Sequence, residues 1–217
     1  MEETRSALAK KETAILEAAK RSFLARGYGE ASMDAIAREA GVSKATVYAH
    51  FASKEELFGA VIAGECERRF AAFSARELSP AEPALSLAVL GRRFLDLILS
   101  PEAIALHRII LGEVSRFPVL GDVFWRAGPE RNLLQIEAFM KRAQSAGTLF
   151  CGEPRRAAEE FAALARGELQ LRRLLGLESG IEEGALEEAV AAAVAVFLRA
   201  YGPQERVARP APRRQRA

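Results

Sequence analysis

The chain has 217 residues, 50% of them hydrophobic and 28% charged, with a formal net charge of +2. Such a chain is long enough to bury a full core unaided, and its composition excludes collagenous and disordered classes. Two cysteines, Cys66 and Cys151, are too few for a cystine framework or a cysteine-based zinc site, so neither metal nor cofactor is expected. No apolar run approaches the ~18 residues a spanning helix requires, and no signal-peptide pattern is visible. The expected home is a reducing cytoplasm, with no membrane partner.

In chain order, the residues lay down helices throughout; strand-like alternation is absent. A first helix is expected from about Ser6 to Gly27, with Ile15, Ala19 and Phe23 four apart and Leu16 and Leu24 beside them. A short second helix, Met33 to Ala40, has Ser32 at its N-cap and Asp34 in its first turn. A third follows Ser43 to about His50. Ser53 to Glu56 spells a capping box that opens a fourth helix, expected to reach about Arg76. Two short helices joined by a glycine-containing turn, here Gly41-Val42-Ser43, make a helix-turn-helix. Val42, Val47 and Phe51 are the apolar positions that pin the third helix down. Lys44, Ala45, Thr46, Tyr48, Ala49 and His50 are left facing away. Small residues there permit close approach to a major groove, and the polar ones can bond bases or phosphates. Helix starts at Ser32 and Ser53 offer phosphate sites, with Lys54 at the second.

The chain here resembles the DNA-binding domain of TetR-family transcriptional regulators. The residues that carry the resemblance are Ala18-Ala19, RGY at Arg26–Tyr28, SMDAIAREAGVSKATVYAHF at Ser32–Phe51 and KEELF at Lys54–Phe58. Valine at Val47 replaces the leucine common in that family. The resemblance implies an all-α homodimer: a three-helix reading head over residues 1–53, and a ligand-binding and dimerising body over residues 54–202. Its partner is double-stranded DNA, contacted by Ser32, Lys44, Ala45, Thr46, Tyr48, His50 and Lys54.

Beyond Ser79-Pro80 a fifth helix is expected from Pro83 to Leu99, with Leu87, Leu90, Phe94, Leu97 and Ile98 on its apolar stripe. Ser100-Pro101 opens a sixth, broken at Phe117-Pro118, and a seventh ends near Arg126. An eighth runs from Pro129 to about Gly147, a ninth from Pro154 to about Leu175, and a tenth from Glu182 to Tyr201. Residues 203–217 hold five arginines against Glu205, with Pro203, Pro210 and Pro212; a flexible basic tail is expected there.

LHRIILGEVSRFP at Leu106–Pro118 and the segment from Phe124 that ends AGPER resemble the C-terminal domain of the AefR-type branch. This implies a repressor with a small-molecule inducer that varies between members. A body pocket is then expected to draw on Phe70, Phe73, Phe94, His107, Ile110, Phe117, Trp125, Phe139, Arg166 and Gln170. The last two expected helices would form the dimer bundle through Phe161, Leu169, Leu186, Val190, Val194 and Phe197. Two other readings compete. One is a DNA-organising or partner-binding protein with no effector. The other is an enzyme using His107 and Glu113 as acid and base, although a spacing of six puts that pair on different helix faces.

Overall fold

The computed structural model describes residues 2–70, 78–177 and 184–203. Among them are eleven helices and no strand: α1 (Glu2–Glu30), α2 (Met33–Glu39), α3 (Lys44–His50), α4 (Lys54–Phe70), α5 (Pro83–Ile98), α6 (Pro101–Glu113), α7 (Val119–Ala127), α8 (Pro129–Ser145), α9 (Pro154–Arg166), α10 (Leu169–Leu174) and α11 (Ala185–Tyr201). The far end expected for the fourth helix and the whole expected tail after Pro203 lie outside the described residues.

The helix starts follow from local hydrogen bonding. The hydroxyl of Ser32 accepts from Ala35 N–H at 3.2 Å, that of Ser43 from Thr46 N–H at 3.1 Å, and that of Ser53 from Glu56 N–H at 3.1 Å. Each satisfies one of the donors that a helix N-terminus leaves open. Glu56 reaches back to Ala52 N–H at 2.8 Å, which closes the box.

Two expected boundaries move. The first helix continues past Gly27 to Glu30 across a kink, with Gly27 at φ 77°. The expected ninth helix is two, because the backbone turns at Gly167 (φ 48°, ψ −136°) before α10. Such a φ is costly for any residue with a Cβ, and the alanine-rich pattern on either side conceals the break.

Two apolar cores result. The first gathers Ile15, Phe23, Tyr28, Ile36, Val47, Leu57 and Phe58 of α1 to α4. It also takes Leu106 and Ile110 of α6 and Leu120 of α7. Its aromatic centre sets Phe58 edge-on to Phe23 (5.0 Å between centroids) and to Tyr28 (5.4 Å). The second core packs α5, α8, α9 and α11 through residues such as Leu90, Ile136, Phe161 and Phe197. There α5 meets α11 closely at Gly91: a Cβ would lie 3.1 Å from Val190 Cγ1 and 3.2 Å from Phe161 Cζ.

Gly91→Leu is therefore expected to overpack this crossing and cost about 1–3 kcal/mol. Thermal or denaturant unfolding checks it; an unchanged transition would mean that α5 and α11 part freely.

Candidate nucleic-acid interface and body cavity

On α3, Val47 is fully buried, while Lys44, Ala45, Tyr48 and Ala49 are exposed. Tyr48 keeps 45% of its surface open. Thr46 and His50 are half-buried. The Thr46 hydroxyl pairs with that of Ser43 at 2.8 Å, and His50 stands beside Phe51 with ring centroids 6.3 Å apart. Lys44 bridges to Asp34 of α2 at 2.8 Å and lies 5.9 Å from the Tyr48 ring centre. The Asp34 carboxylate raises the lysine's pKa, so the ammonium is fully charged at neutral pH. The exposed side of α3 thus presents one cation, one phenol and two alanines.

Lys54 departs from its expected place. Its ammonium turns inward and donates to the carbonyls of Tyr28 (2.9 Å), Gly29 (3.3 Å) and Ala31 (2.9 Å). It also sits 4.3 Å from the Tyr28 ring centre. An ammonium has three donors, and these contacts use them all. Next to it, the buried Tyr28 donates its phenol to Glu55 at 2.7 Å. That bond holds the Glu55 carboxyl below the usual range. Lys54 therefore closes the end of α1 instead of reaching for a phosphate.

The body encloses a cavity of about 510 Å³. Of the expected pocket residues, Phe94, His107, Trp125, Arg166 and Gln170 line it. Three others do not. Ile110 is in the first core, Phe139 is 1% exposed in the second, and Phe117 packs against Tyr28 at 5.2 Å. The helical period marks a side chain as buried without saying which neighbour buries it. Phe73 lies outside the described residues, as does the side chain of Phe70.

The cavity also brings in residues that sequence reasoning missed. Ile62, Glu65 and Cys66 come from α4, Phe124 from α7, Asn132 from α8 and Glu159 from α9. Asn132 and Glu65 had a readable signal. Each is a polar residue in the buried phase of an apolar stripe, Asn132 with Ile136, Phe139 and Ala143, and Glu65 with Phe58, Val61 and Ile62.

Polar chemistry in the cavity is specific. Glu65, 6% exposed, is bridged by Lys20 of α1 at 2.7 Å. His107 stands edge-on to Phe124 at 5.1 Å. Burial, and then the nearby positive charge of Arg166, push its pKa down, so the imidazole is neutral at pH 7. Burial pushes the Cys66 thiol up to about 11, which leaves it protonated and poorly nucleophilic.

The expected dimer residues need correcting. Phe161, Leu186, Val190, Val194 and Phe197 are each 8% exposed or less, inside the chain's own core, and Leu169 packs against it half-buried. The large apolar residues of α9 and α11 meet within one chain. What those helices leave open is smaller: Ala163 and Leu164 on α9, and Ala192, Ala195 and Val196 on α11.

Among the described residues no helix is long and apolar enough to cross a membrane, and no cluster of candidate metal ligands occurs.

Comparison with known proteins places these features. The model for bacterial regulatory proteins of the tetR family matches residues 15–61. The model for the AefR-like transcriptional repressor C-terminal domain matches residues 86–203, more than half of the chain. The chain belongs to the TetR family of transcriptional regulators. Among solved structures, the flavonoid-responsive regulator FrrA is 36% identical, with a TM-score of 0.72 over 91% of this chain and 100% of that one. A chain from Mesorhizobium loti is 28% identical, with a TM-score of 0.75 over 90% and 98%. The curated relatives are similar only over a short stretch, about a fifth to just over a quarter of this chain. The regulator UidR of Escherichia coli K12 is 44% identical over 28% of this chain, and the match spans 31% of UidR. The activator FasR of Mycolicibacterium smegmatis is 54% identical over 22% of each. TetR-family members are DNA-binding regulators and not enzymes, which removes the enzymatic reading. Glu113, its would-be acid or base, instead accepts from Gly29 N–H at 3.0 Å.

Two outcomes follow for the unfolding of this family member. Lys54→Met strips three carbonyls of their donor, at a cost of about 1–3 kcal/mol, whereas Lys44→Ala leaves the unfolding transition in place. Equal transitions would refute the inward role of Lys54. His107 has a folded pKa below its unfolded one, so the folded state binds fewer protons between the two values. Stability is then full above the unfolded value of ~6.5 and falls as pH drops through it. Comparing unfolding at pH 7.5 and 5.5, His107→Phe should flatten part of this dependence.

Proposed function

We propose that the chain is a cytoplasmic homodimer that represses from a palindromic operator and is released by a small apolar or amphipathic molecule held in the body cavity. The observation that carries this reading is that α4 and α6 each serve two places. On α4, Leu57 and Phe58 sit in the head's core while Ile62, Glu65 and Cys66 face the cavity. On α6, Ile110 joins the head's core while Ala103 and His107 line the cavity. An occupant of the cavity acts on the helices that hold the head. An effector-free reading leaves that cavity with no role.

The exposed side of α3 is the reading surface, with Lys44 and Tyr48 as principal contacts and Ala45, Thr46 and His50 around them. Ser32 serves the backbone at the start of α2. A palindrome needs two such helices ~34–36 Å apart, or a multiple of that. The small open faces of α9 and α11 suit a close helix-to-helix dimer contact. An inducer must bind the DNA-incompetent arrangement better, since a ligand shifts an equilibrium only by its differential affinity. FrrA, by its name responsive to flavonoids, makes an aromatic inducer the natural class, and Phe94, Phe124 and Trp125 offer rings to it.

The test is fluorescence anisotropy of the full chain on DNA selected from a random pool. Tight binding to a palindrome, falling steeply with salt, is expected. Tyr48→Ala should weaken it about tenfold or more, and Lys44→Ala should lower the salt slope by about 1. Equal binding of mutants and wild type to every sequence would reject the reading.

A further inference from the structure

The ionisable groups on the cavity wall are not equally free. Both carboxylates have cations that come from outside the lining. Lys20 bridges Glu65 at 2.7 Å, and Arg155 bridges Glu159 at 2.8 Å while its two terminal nitrogens clamp Glu130. The imidazole of His107 is uncharged at neutral pH and the Cys66 thiol is protonated. Arg166, on the exposed edge of α9, completes the set. Among the described residues no carboxylate bridges it, and its charge is felt across the cavity at His107. Among the described residues, the wall therefore carries one uncompensated positive charge, at one edge.

A second polar group is unspent. Asn132 is 5% exposed and lines the cavity. Its main-chain N–H bonds to the Gly128 carbonyl at 3.2 Å. Its side-chain amide has no partner among the described residues, although a buried amide offers two donors and an acceptor. Because it faces the cavity, this amide is placed to receive a neutral polar group of an occupant.

We infer that the inducer is an acidic amphiphile: a flat apolar body, one negative group held by Arg166 at the cavity's edge, and one neutral hydroxyl or carbonyl held by Asn132 within. The inference rests on the cavity being the inducer site. It adds the sign of the ligand's charge and the residue that reads each end. Arg166 gives a planar fork suited to a carboxylate or an acidic phenol. Gln170, on α10 just past the break at Gly167, lines the same wall and adds a neutral partner. Among the described residues a cationic ligand finds no such place, because each lining carboxylate already has its cation.

Three isosteric probes separate charge from shape: biphenyl-4-carboxylate, the neutral carboxamide and the cationic carboxamidine. Calorimetric titration of the full dimer at pH 7 should rank the carboxylate about five- to tenfold tighter than the carboxamide, a gain tempered by the exposure of Arg166. The carboxamidine should be weakest. Arg166→Gln should bring carboxylate and carboxamide together while leaving carboxamide binding unchanged. Adding a 4′-hydroxyl to the carboxylate should tighten binding about threefold or more, and Asn132→Leu should abolish that gain. Melting curves of both variants confirm that they fold. A carboxamidine equal to or tighter than the carboxylate, or a preference that survives Arg166→Gln, overturns the inference and leaves the cavity as the inducer site. If no probe binds or releases the protein from operator DNA, the cavity reading falls with it.

Discussion

The end of α1 sets the orientation of everything above it. Beyond its kink, the carbonyls of Tyr28 and Gly29 in the last turn of α1, and of Ala31 just past it, receive no backbone N–H, and a part-buried carbonyl without a donor is costly. The Lys54 ammonium answers all three from α4, and the Glu113 carboxylate answers the Gly29 N–H from α6. These bonds are directional. An apolar contact tolerates a slide of an ångström, while an ammonium shared by three carbonyls does not. The reading head is therefore held to α4 and α6 by geometry as well as by burial.

The same two helices form one side of the cavity, so head and cavity share structural parts. Lys20 on α1 reaches Glu65 on the cavity wall, which adds an ionic tie to the apolar ones. Charges withdrawn from water in this way lose much when one partner is displaced. On the proposed reading, a ligand need not push the head over any distance: it is enough that its binding favours another packing of α4 against α6, since close-packed elements change between discrete arrangements.

Much of the head was legible because its determinants are local. Ser32, Ser43 and Ser53 cap helices that begin one residue later, and a cap needs only its own next turn. The body was less so. The break at Gly167 is invisible where the apolar period runs on through α10. Ile110, Phe117 and Phe139 read as pocket residues because each is apolar and helical, yet their neighbours come from far along the chain. Phe161 and Phe197 read as a dimer seam for the same reason, and they meet each other at 5.4 Å within one chain. Lys54 at a helix start suggested a phosphate, while the carbonyls that claim it come from a kink more than twenty residues earlier. Periodicity identifies which side of a helix is covered; only the fold tells what covers it.

Of the seven residues in α3, only Val47 is committed to the core. A helix face held by a single buried anchor can change residue by residue at little cost in stability, because substitutions at exposed positions away from caps and cavities are usually near neutral. Recognition is in this sense decoupled from folding. If α3 reads DNA as proposed, copies of such a gene can drift toward new target sequences while keeping the same scaffold, and the residue that resists drift is the buried valine.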